Sequence, residues 1–283
     1  MNKDRQRVIN YYQNLESRLG YTFLTWDTKH FGYYPSGKKD LSERKAQMLM
    51  VDLLAKKLKL QKTDKVLDAG CGRGTVACYL TKKYGAKVYG IDIVEFELIK
   101  ARKRALKQKL NNSVSFSLQD YSQTNFPDNF FDKVFTLETL VHSPDFKITL
   151  KELHRVLKPG GKIAFFEYSV SPLKDFQPWE KRMIGIIASG SSMTSLLKMQ
   201  HHTLVKDIEK AGFKLISDED ITLHTIPSMA RFYKYAFIPY QIIKLLKIQR
   251  CFINTTAGVE FYKMGQKGLL KYRTITATKP LIP

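Results

Sequence analysis

The sequence predicts an α/β chain built on an open, mostly parallel, Rossmann-like sheet. The apolar run Lys65-Val66-Leu67-Asp68-Ala69 enters a turn with glycines at alternate positions, Gly70, Gly72 and Gly74, and an amphipathic helix follows from about Arg73 to Tyr84. A second apolar run, Lys87 to Asp92, ends on a carboxylate. From residue 64 onward, strand and helix patterns alternate. That alternation favours parallel strands joined by right-handed crossovers.

The elements follow from local pattern. Strands are expected near 65–69, 87–92, 113–118, 131–137 and 161–168, with helices near 73–84, 94–110 and 145–157. Lys158-Pro159-Gly160-Gly161 closes the last of these helices and opens the fifth strand, since proline and glycine stop a helix. Upstream, Val8, Ile9, Tyr12, Leu15 and Leu19 recur at helical spacing within 2–19. An irregular aromatic segment runs from Tyr21 to Tyr34, and a helix spans about 41–60 with Ser42 as its N-cap. Downstream, helices are expected near 176–188, 202–211 and 228–249, and strands near 213–223 and 269–278.

Composition narrows the setting. The chain has 283 residues with 43% apolar content, enough for a full core and against disorder. Cys71, Cys78 and Cys251 are too few and too scattered for a disulfide framework or a zinc site, so no metal is expected. No apolar run follows Met1-Asn2-Lys3-Asp4-Arg5, which predicts no signal peptide. The longest uncharged stretch, Met183 to Leu197, is shorter than the roughly 18–20 apolar residues that cross a bilayer. A reducing cytoplasm is the expected compartment. The net charge of +21, from 47 basic and 26 acidic residues, suits nucleic acid, an anionic membrane surface or acidic substrates; free use of lysine explains it equally well.

Spacing decides what the glycine turn holds. A dinucleotide site uses G-x-G-x-x-G to seat a pyrophosphate at a helix N-terminus. Here the pattern is D-x-G-C-G-x-G, with Asp68 two residues before the first glycine. An acid there opposes phosphate and favours a cationic amino-acid group. Asp92, at the end of the second strand, is placed to accept from both hydroxyls of a ribose. These residues resemble motif I of the class I S-adenosylmethionine-dependent methyltransferases.

The resemblance extends along the chain. Leu118-Gln119-Asp120-Tyr121 ends the third strand with an acid, where the family's acid accepts from the adenine amino group. Glu138-Thr139-Leu140-Val141-His142-Ser143-Pro144 is similar to the E-x-x-x-H-x-P pattern of sterol and tocopherol C-methyltransferases and related small-molecule O-methyltransferases. Glu152 to Gly161 matches the post-motif of the same broad class, and Tyr21, Trp26, His30, Phe31 and Gly32 loosely match its Y…W…H-F-G stretch. The resemblance covers about 62–170, 203–223 and 269–279. It implies a seven-stranded sheet with an antiparallel last strand, helices on both faces and helical caps. A single domain is expected, with 1–60 an N-terminal helical cap, 61–170 the cofactor-binding core, and 171–202 and 224–265 substrate-cap insertions.

The implied cofactor is S-adenosylmethionine. Asp68, Gly70, Cys71, Gly72 and Gly74 would surround its methionine part. Asp92 and Ile93 would hold the ribose, Asp120 and Tyr121 the adenine, and Leu137 and Glu138 would face the sulfonium. His142 is the expected base, by position and by its ordinary pKa near 6.5; Glu138 is a second catalytic candidate. Trp26, His30, Tyr33 and Tyr233 are expected in the substrate pocket. The bulky residues of the caps suit a hydrophobic acceptor, a lipid or isoprenoid methylated on carbon or oxygen. The cationic, amphipathic tract 231–250 suits peripheral contact with an anionic membrane. Two alternatives stand beside this: a nucleic-acid methyltransferase, on the basic tract Lys100 to Lys109, and a catalytically inactive binding subunit. The acceptor atom stays open.

Overall fold

A computed structural model describes residues 3–23, 27–36, 38 and 40–281. Seven strands form one sheet: β1 (Lys65–Ala69), β2 (Lys87–Asp92), β3 (Val114–Leu118), β4 (Phe131–Leu137), β5 (Leu157–Val170), β6 (Lys214–Asp220) and β7 (Leu270–Thr278). Their order is β3-β2-β1-β4-β5-β7-β6. The pairs among β1 to β5 are parallel, and β7 lies antiparallel between β5 and β6. Parallel strands are shielded on both faces and therefore read as near-continuous apolar runs; Val66, Leu67, Val134, Phe135, Ile163 and Ile275 are fully buried.

The order reverses at β1 and β4. Open α/β sheets bind ligands outside the carboxyl ends of strands at such a point. Around the sheet lie α3 (Glu43–Leu58), α4 (Thr75–Tyr84), α5 (Glu95–Lys107), α6 (Phe146–Val156) and α8 (Leu204–Lys210). The cap contains α1 (Lys3–Gln13), α2 (Leu15–Phe23), α7 (Pro178–Gly190), α9 (Thr222–Leu245) and α10 (Ile253–Gln266). Ser42 caps α3 as expected, its hydroxyl accepting from the N–H of Lys45.

Several boundaries, and one helix, differ from the sequence reading. The helix expected over 2–19 divides at Asn14, whose side chain accepts the N–H of Ser17 at 2.7 Å and so starts α2. β5 begins at Leu157 rather than 161: Gly160 takes φ +75°, and the pairing steps from Phe131–Leu157 to Lys133–Lys162, so Lys158-Pro159-Gly160-Gly161 bulges within the strand. α9 starts at Thr222, not 228, and runs through Pro227 and Pro239. Each proline removes the bond to the carbonyl four residues earlier; those residues, Leu223 and Tyr235, are exposed, so water can replace it. α10 was not anticipated.

Segment 27–36 is fastened over the switch point by backbone bonds. The N–H groups of Gly32, Tyr33 and Tyr34 donate to Ser228 Oγ (2.8 Å), the Ala46 carbonyl (2.9 Å) and the His224 carbonyl (2.9 Å). Gly32 is required by close approach, since a Cβ there would lie 3.0 Å from the Ala46 carbonyl carbon. Buried Glu43 of α3 accepts from Tyr34 Oη at 2.9 Å and from Ser228 Oγ, joining α3, this segment and α9.

Candidate active site

The glycine turn is pinned to β2. The N–H groups of Gly70 and Cys71 both reach the Ile91 carbonyl at 2.9 Å. Gly70 (φ +92°) leaves no room for a side chain: a Cβ would fall 2.7 Å from Thr139 Cβ on the loop after β4. Gly72 (φ +50°) instead faces space, its nearest neighbour being Lys29 Cδ at 3.8 Å. Asp92 completes the cradle, Oδ2 accepting from Gly72 N at 2.8 Å and Oδ1 from Val94 N at 2.9 Å. Burial raises the Asp92 carboxyl above its ordinary range, opposed by the nearby Lys29 charge.

Two small pockets of about 60 and 50 Å³ share Lys29, Gly70, Gly72 and Leu137. The first includes Asp92, Ile93, Val94, Tyr121, Glu138, Thr139, Tyr12 and His142. The second includes Asp68, Cys71, Arg73, Thr28 and His30. Asp68 is buried with no hydrogen-bond partner on Oδ2 among the described residues, and desolvation, with Asp92 adding repulsion, pushes its carboxyl up to about 8.

Two of the expected cofactor residues are not brought to these walls. Gly74 packs α4 against its neighbours, since a Cβ there would meet Ala101 Cβ at 2.9 Å and Phe116 Cε1 at 2.9 Å. The Asp120 carboxylate folds back onto Ser122, taking its N–H at 2.8 Å and its hydroxyl at 2.6 Å; the adjacent Tyr121 lines the pocket instead, its hydroxyl donating to the Thr139 carbonyl at 2.9 Å.

A third and larger cavity, about 240 Å³, lies beneath the cap. Its walls include Phe31, Tyr168, Met193, Met229, Phe232, Tyr235, Phe261 and Tyr11, from α1, α9, α10, β5, the loop after α7 and the segment over the switch point. Phe31 and Tyr168 meet edge to face at 5.9 Å, and Phe232 lies 5.7 Å from Phe31. Lys29 and Glu138 line both this cavity and the Asp92 pocket; Lys29 and His30 line both it and the Asp68 pocket.

Glu138 therefore stands where cavity and cofactor cradle meet. It holds φ +55°, a strained conformation for a non-glycine residue. Its Oε1 accepts the Phe31 N–H at 2.7 Å and Oε2 pairs with the Tyr168 hydroxyl. Burial pushes its carboxyl up to about 8 against those bonds. His142 sits on the cofactor side, not in the large cavity. Its Nδ1 faces the Ser192 carbonyl at 3.2 Å, so this nitrogen carries the hydrogen, and Nε2 accepts from Tyr12 Oη at 3.0 Å. Burial lowers its pKa to about 4.

The substrate-pocket expectations divide. His30 lines the large cavity. Tyr33 does not: its ring lies against His224 with centroids 4.8 Å apart, outside the lining. Tyr233 does not line it: its ring lies tilted against Phe237 and Tyr262, with centroids 5.2 and 4.8 Å away, and Phe232, Tyr235 and Ala236, on either side of it, line the cavity. Trp26 lies outside the described residues. Lys29 and the α10 residues Asn254, Thr255, Ala257 and Gly258, which also line the cavity, were not anticipated. Lys29 sits beside His30-Phe31-Gly32, where the one signal was the aromatic motif. Among the described residues, no group of three or more His, Cys, Asp or Glu could hold a metal. Part of the basic tract on α5 is used internally, Arg104 bonding the Arg73 carbonyl and Asp27, and Arg102 pairing with Glu95 at 2.6 Å.

The donor set fits S-adenosylmethionine. A buried carboxyl with an orphan oxygen awaits a cation, backbone N–H groups brace a second carboxylate at the β2 end, and Gly72 leaves room for a ligand. Comparison with known proteins agrees. Residues 67–165 match the family described as a methyltransferase domain. The chain is 31% identical over 287 residues to the S-adenosyl-L-methionine-dependent Diels-Alderase iccD of Talaromyces variabilis, covering 97% of this chain and 96% of that one. It is 30% identical to the 27-O-demethylrifamycin SV methyltransferase of Amycolatopsis mediterranei (strain S699), covering 91% and 92%. Among solved structures, the [4+2]-cyclase SpnF superposes with a TM-score of 0.79 at 23% identity, covering 99% and 98%. This chain belongs to the S-adenosylmethionine-dependent methyltransferase family. It is an enzyme of that family acting on small molecules, with S-adenosylmethionine as its cofactor.

Proposed function

We propose that this enzyme methylates a hydrophobic small molecule of the lipid or isoprenoid kind, on carbon or oxygen. The observation that carries the reading is the meeting of two spaces: the apolar 240 Å³ cavity and the cofactor cradle share Glu138 and Lys29. When bound, S-adenosylmethionine supplies an electrophilic methyl group on sulfur. The chain's own residues do the positioning, on which catalysis of this type depends. Asp68, Gly70, Cys71 and Gly72 hold the methionine part, Asp92 and Ile93 the ribose, and Tyr121 the adenine. Leu137 and Glu138 close the sulfur side. Phe31, Tyr168, Phe232 and Phe261 exclude water and present aromatic faces able to stabilise developing positive charge. His142, held by Tyr12, keeps a neutral imidazole against the cofactor side. A screen of lipid and aromatic acceptors with methyl-labelled donor tests this: label should enter an organic-extractable product, and no transfer to any acceptor counts against it.

Access for such an acceptor is supported by the outer face of α9. Tyr235 lines the cavity, and Ile238, Ile242 and Leu245 continue the same helical stripe at exposed positions, with Lys244 beside them and Lys247 just past the helix end. An exposed apolar stripe rimmed by lysines suits an anionic membrane surface. None of the described helices is long and apolar enough to cross a membrane. Lys244→Glu with Lys247→Glu should abolish binding to anionic vesicles; unchanged binding removes the membrane contact.

A second reading is cofactor-dependent cyclisation without methyl transfer, favoured by the end-to-end match to a Diels-Alderase. A product of unchanged mass, formed only with cofactor present and carrying no label, would select it.

A further inference from the structure

His30 carries an acceptor nitrogen that the protein leaves without a partner. The ring is buried, 5% exposed, and borders both the large cavity and the Asp68 pocket. Its Nδ1 lies 3.0 Å from the Phe31 carbonyl. A carbonyl oxygen only accepts, so Nδ1 bears the hydrogen, and in the neutral ring Nε2 is a lone pair. Nε2 has no hydrogen-bond partner among the described residues and is shut away from water. The backbone that carries the ring is fixed in place. The His30 carbonyl is held by Gln47 Nε2 at 3.0 Å, the next N–H by Glu138 at 2.7 Å, and the one after by Ser228 at 2.8 Å. Leaving a buried acceptor unsatisfied is unfavourable. The fold thus fastens the backbone on both sides and leaves that nitrogen bare in a ring that borders the cavity.

We propose that His30 Nε2 receives the proton of a hydroxyl-bearing acceptor, an alcohol, phenol or enol, so that oxygen is the methylated atom. This deepens the reading above and rests on it. In the step, the acceptor oxygen forms a bond to the donor's methyl carbon as the methyl–sulfur bond breaks and its electron pair returns to sulfur. The hydroxyl proton passes to Nε2, giving an imidazolium whose Nδ1–H still donates to the Phe31 carbonyl. The proton then leaves to solvent when product departs. His30 is set apart from His142, both of whose ring nitrogens have partners inside the protein.

The test uses the full chain with cofactor bound and the probe pair 2-naphthol and 2-methylnaphthalene, which differ in the hydroxyl. In ¹⁵N spectra of histidine-labelled enzyme, His30 Nε2 should resonate as an unprotonated nitrogen and move when 2-naphthol binds, but not with the hydrocarbon. The wild type should favour 2-naphthol by ~10-fold, the value of one hydrogen bond to an otherwise bare buried acceptor, and His30→Phe should abolish the preference while still binding the hydrocarbon. An Nε2-protonated ring, or equal affinity for both probes in the wild type, overturns the proposal. His30→Gln, which keeps an acceptor, should retain part of the preference; a folded His30→Phe that retains all of it also overturns the assignment. None of these readouts requires methyl transfer, so the two failures are distinguishable: absence of label with His30 engaged removes the methyltransferase reading and O-methylation with it, whereas label transferred with no response of His30 to the hydroxyl overturns this assignment alone.

Discussion

Glu138 and Phe31 stand 107 residues apart, and the carboxylate of one accepts the backbone N–H of the other at 2.7 Å. That bond fastens the segment over the switch point to the end of β4 and turns the Phe31 ring into the cavity. Because burial raises the Glu138 pKa to about 8, the folded protein favours its protonated form. Its contribution to stability is therefore fully present below the ordinary carboxyl range and is lost as pH rises through about 8. Thermal midpoints should fall from about pH 5 to 9 more steeply in the wild type than in Glu138→Gln, which keeps the shape without the titration. Glu138→Ala should cost about 1–3 kcal/mol at neutral pH, since it strands the Phe31 donor. Equal pH slopes for wild type and Gln variant would refute the assignment.

Gly70 and Gly72 are both left-handed, yet substitution should separate them. An alanine at Gly70 would drive its Cβ into Thr139, so about 2–4 kcal/mol of stability should go, from overpacking and backbone strain together. At Gly72 the nearest atom to a new Cβ is 3.8 Å away on a flexible lysine. The backbone penalty of about 1 kcal/mol remains, but the methyl enters the cofactor cradle. Denaturant melts should single out Gly70→Ala, and cofactor titration should single out Gly72→Ala.

Asp68 supplies a test that needs no acceptor. Its carboxyl, pushed up to about 8 by burial and by Asp92, is mostly protonated at neutral pH in the free enzyme. A cationic amino group arriving beside it favours the carboxylate, so cofactor binding should release up to about one proton at pH 7. Calorimetry in buffers of differing ionisation enthalpy measures that release, and Asp68→Asn should abolish it. No difference between the two proteins would place the cation elsewhere.

Much of this site was legible because its determinants are local. Strand, glycine turn and terminal carboxylate sit within Lys65 to Asp92, and the local spacing of these residues is enough to bring Gly70, Gly72 and Asp92 to the wall of one pocket. What was not legible depends on partners distant in sequence. Tyr233 and Phe232 are neighbours with the same composition cue, and only the packing of α9 on α10 decides which faces inward. α10 itself, Ile-Asn-Thr-Thr-Ala-Gly-Val at its start, mixes β-branched residues and glycine with poor helix propensity. It forms because Glu16 of α2 accepts the N–H groups of Asn254 and Thr255 at 3.1 and 2.8 Å, a cap supplied from 239 residues away. Asp120 differs for the opposite reason: a local turn with Ser122 holds its carboxylate, an arrangement that its family position does not announce.

The buried pair of Arg73 and Glu97 gives a final test, of stability rather than chemistry. Both side chains are 1% exposed and joined at 2.8 Å; Asp27 also binds Arg73, and Lys29 reaches Glu97 at 3.1 Å. These bonds attach the cavity segment to the turn and to α5. Removing one member of a buried pair leaves an uncompensated charge and typically costs about 3–5 kcal/mol, whereas replacing both with apolar groups is often close to neutral. Arg73→Leu should therefore destabilise strongly, with Lys29 neutralising Glu97 only in part. Glu97→Leu added to it should recover much of the loss, a coupling of about 1–3 kcal/mol in a double-mutant cycle. Cofactor affinity should not recover in parallel, because Lys29 would have lost the carboxylate that holds it across the cradle. Joint recovery of stability and affinity would mean that Lys29 is positioned by other contacts.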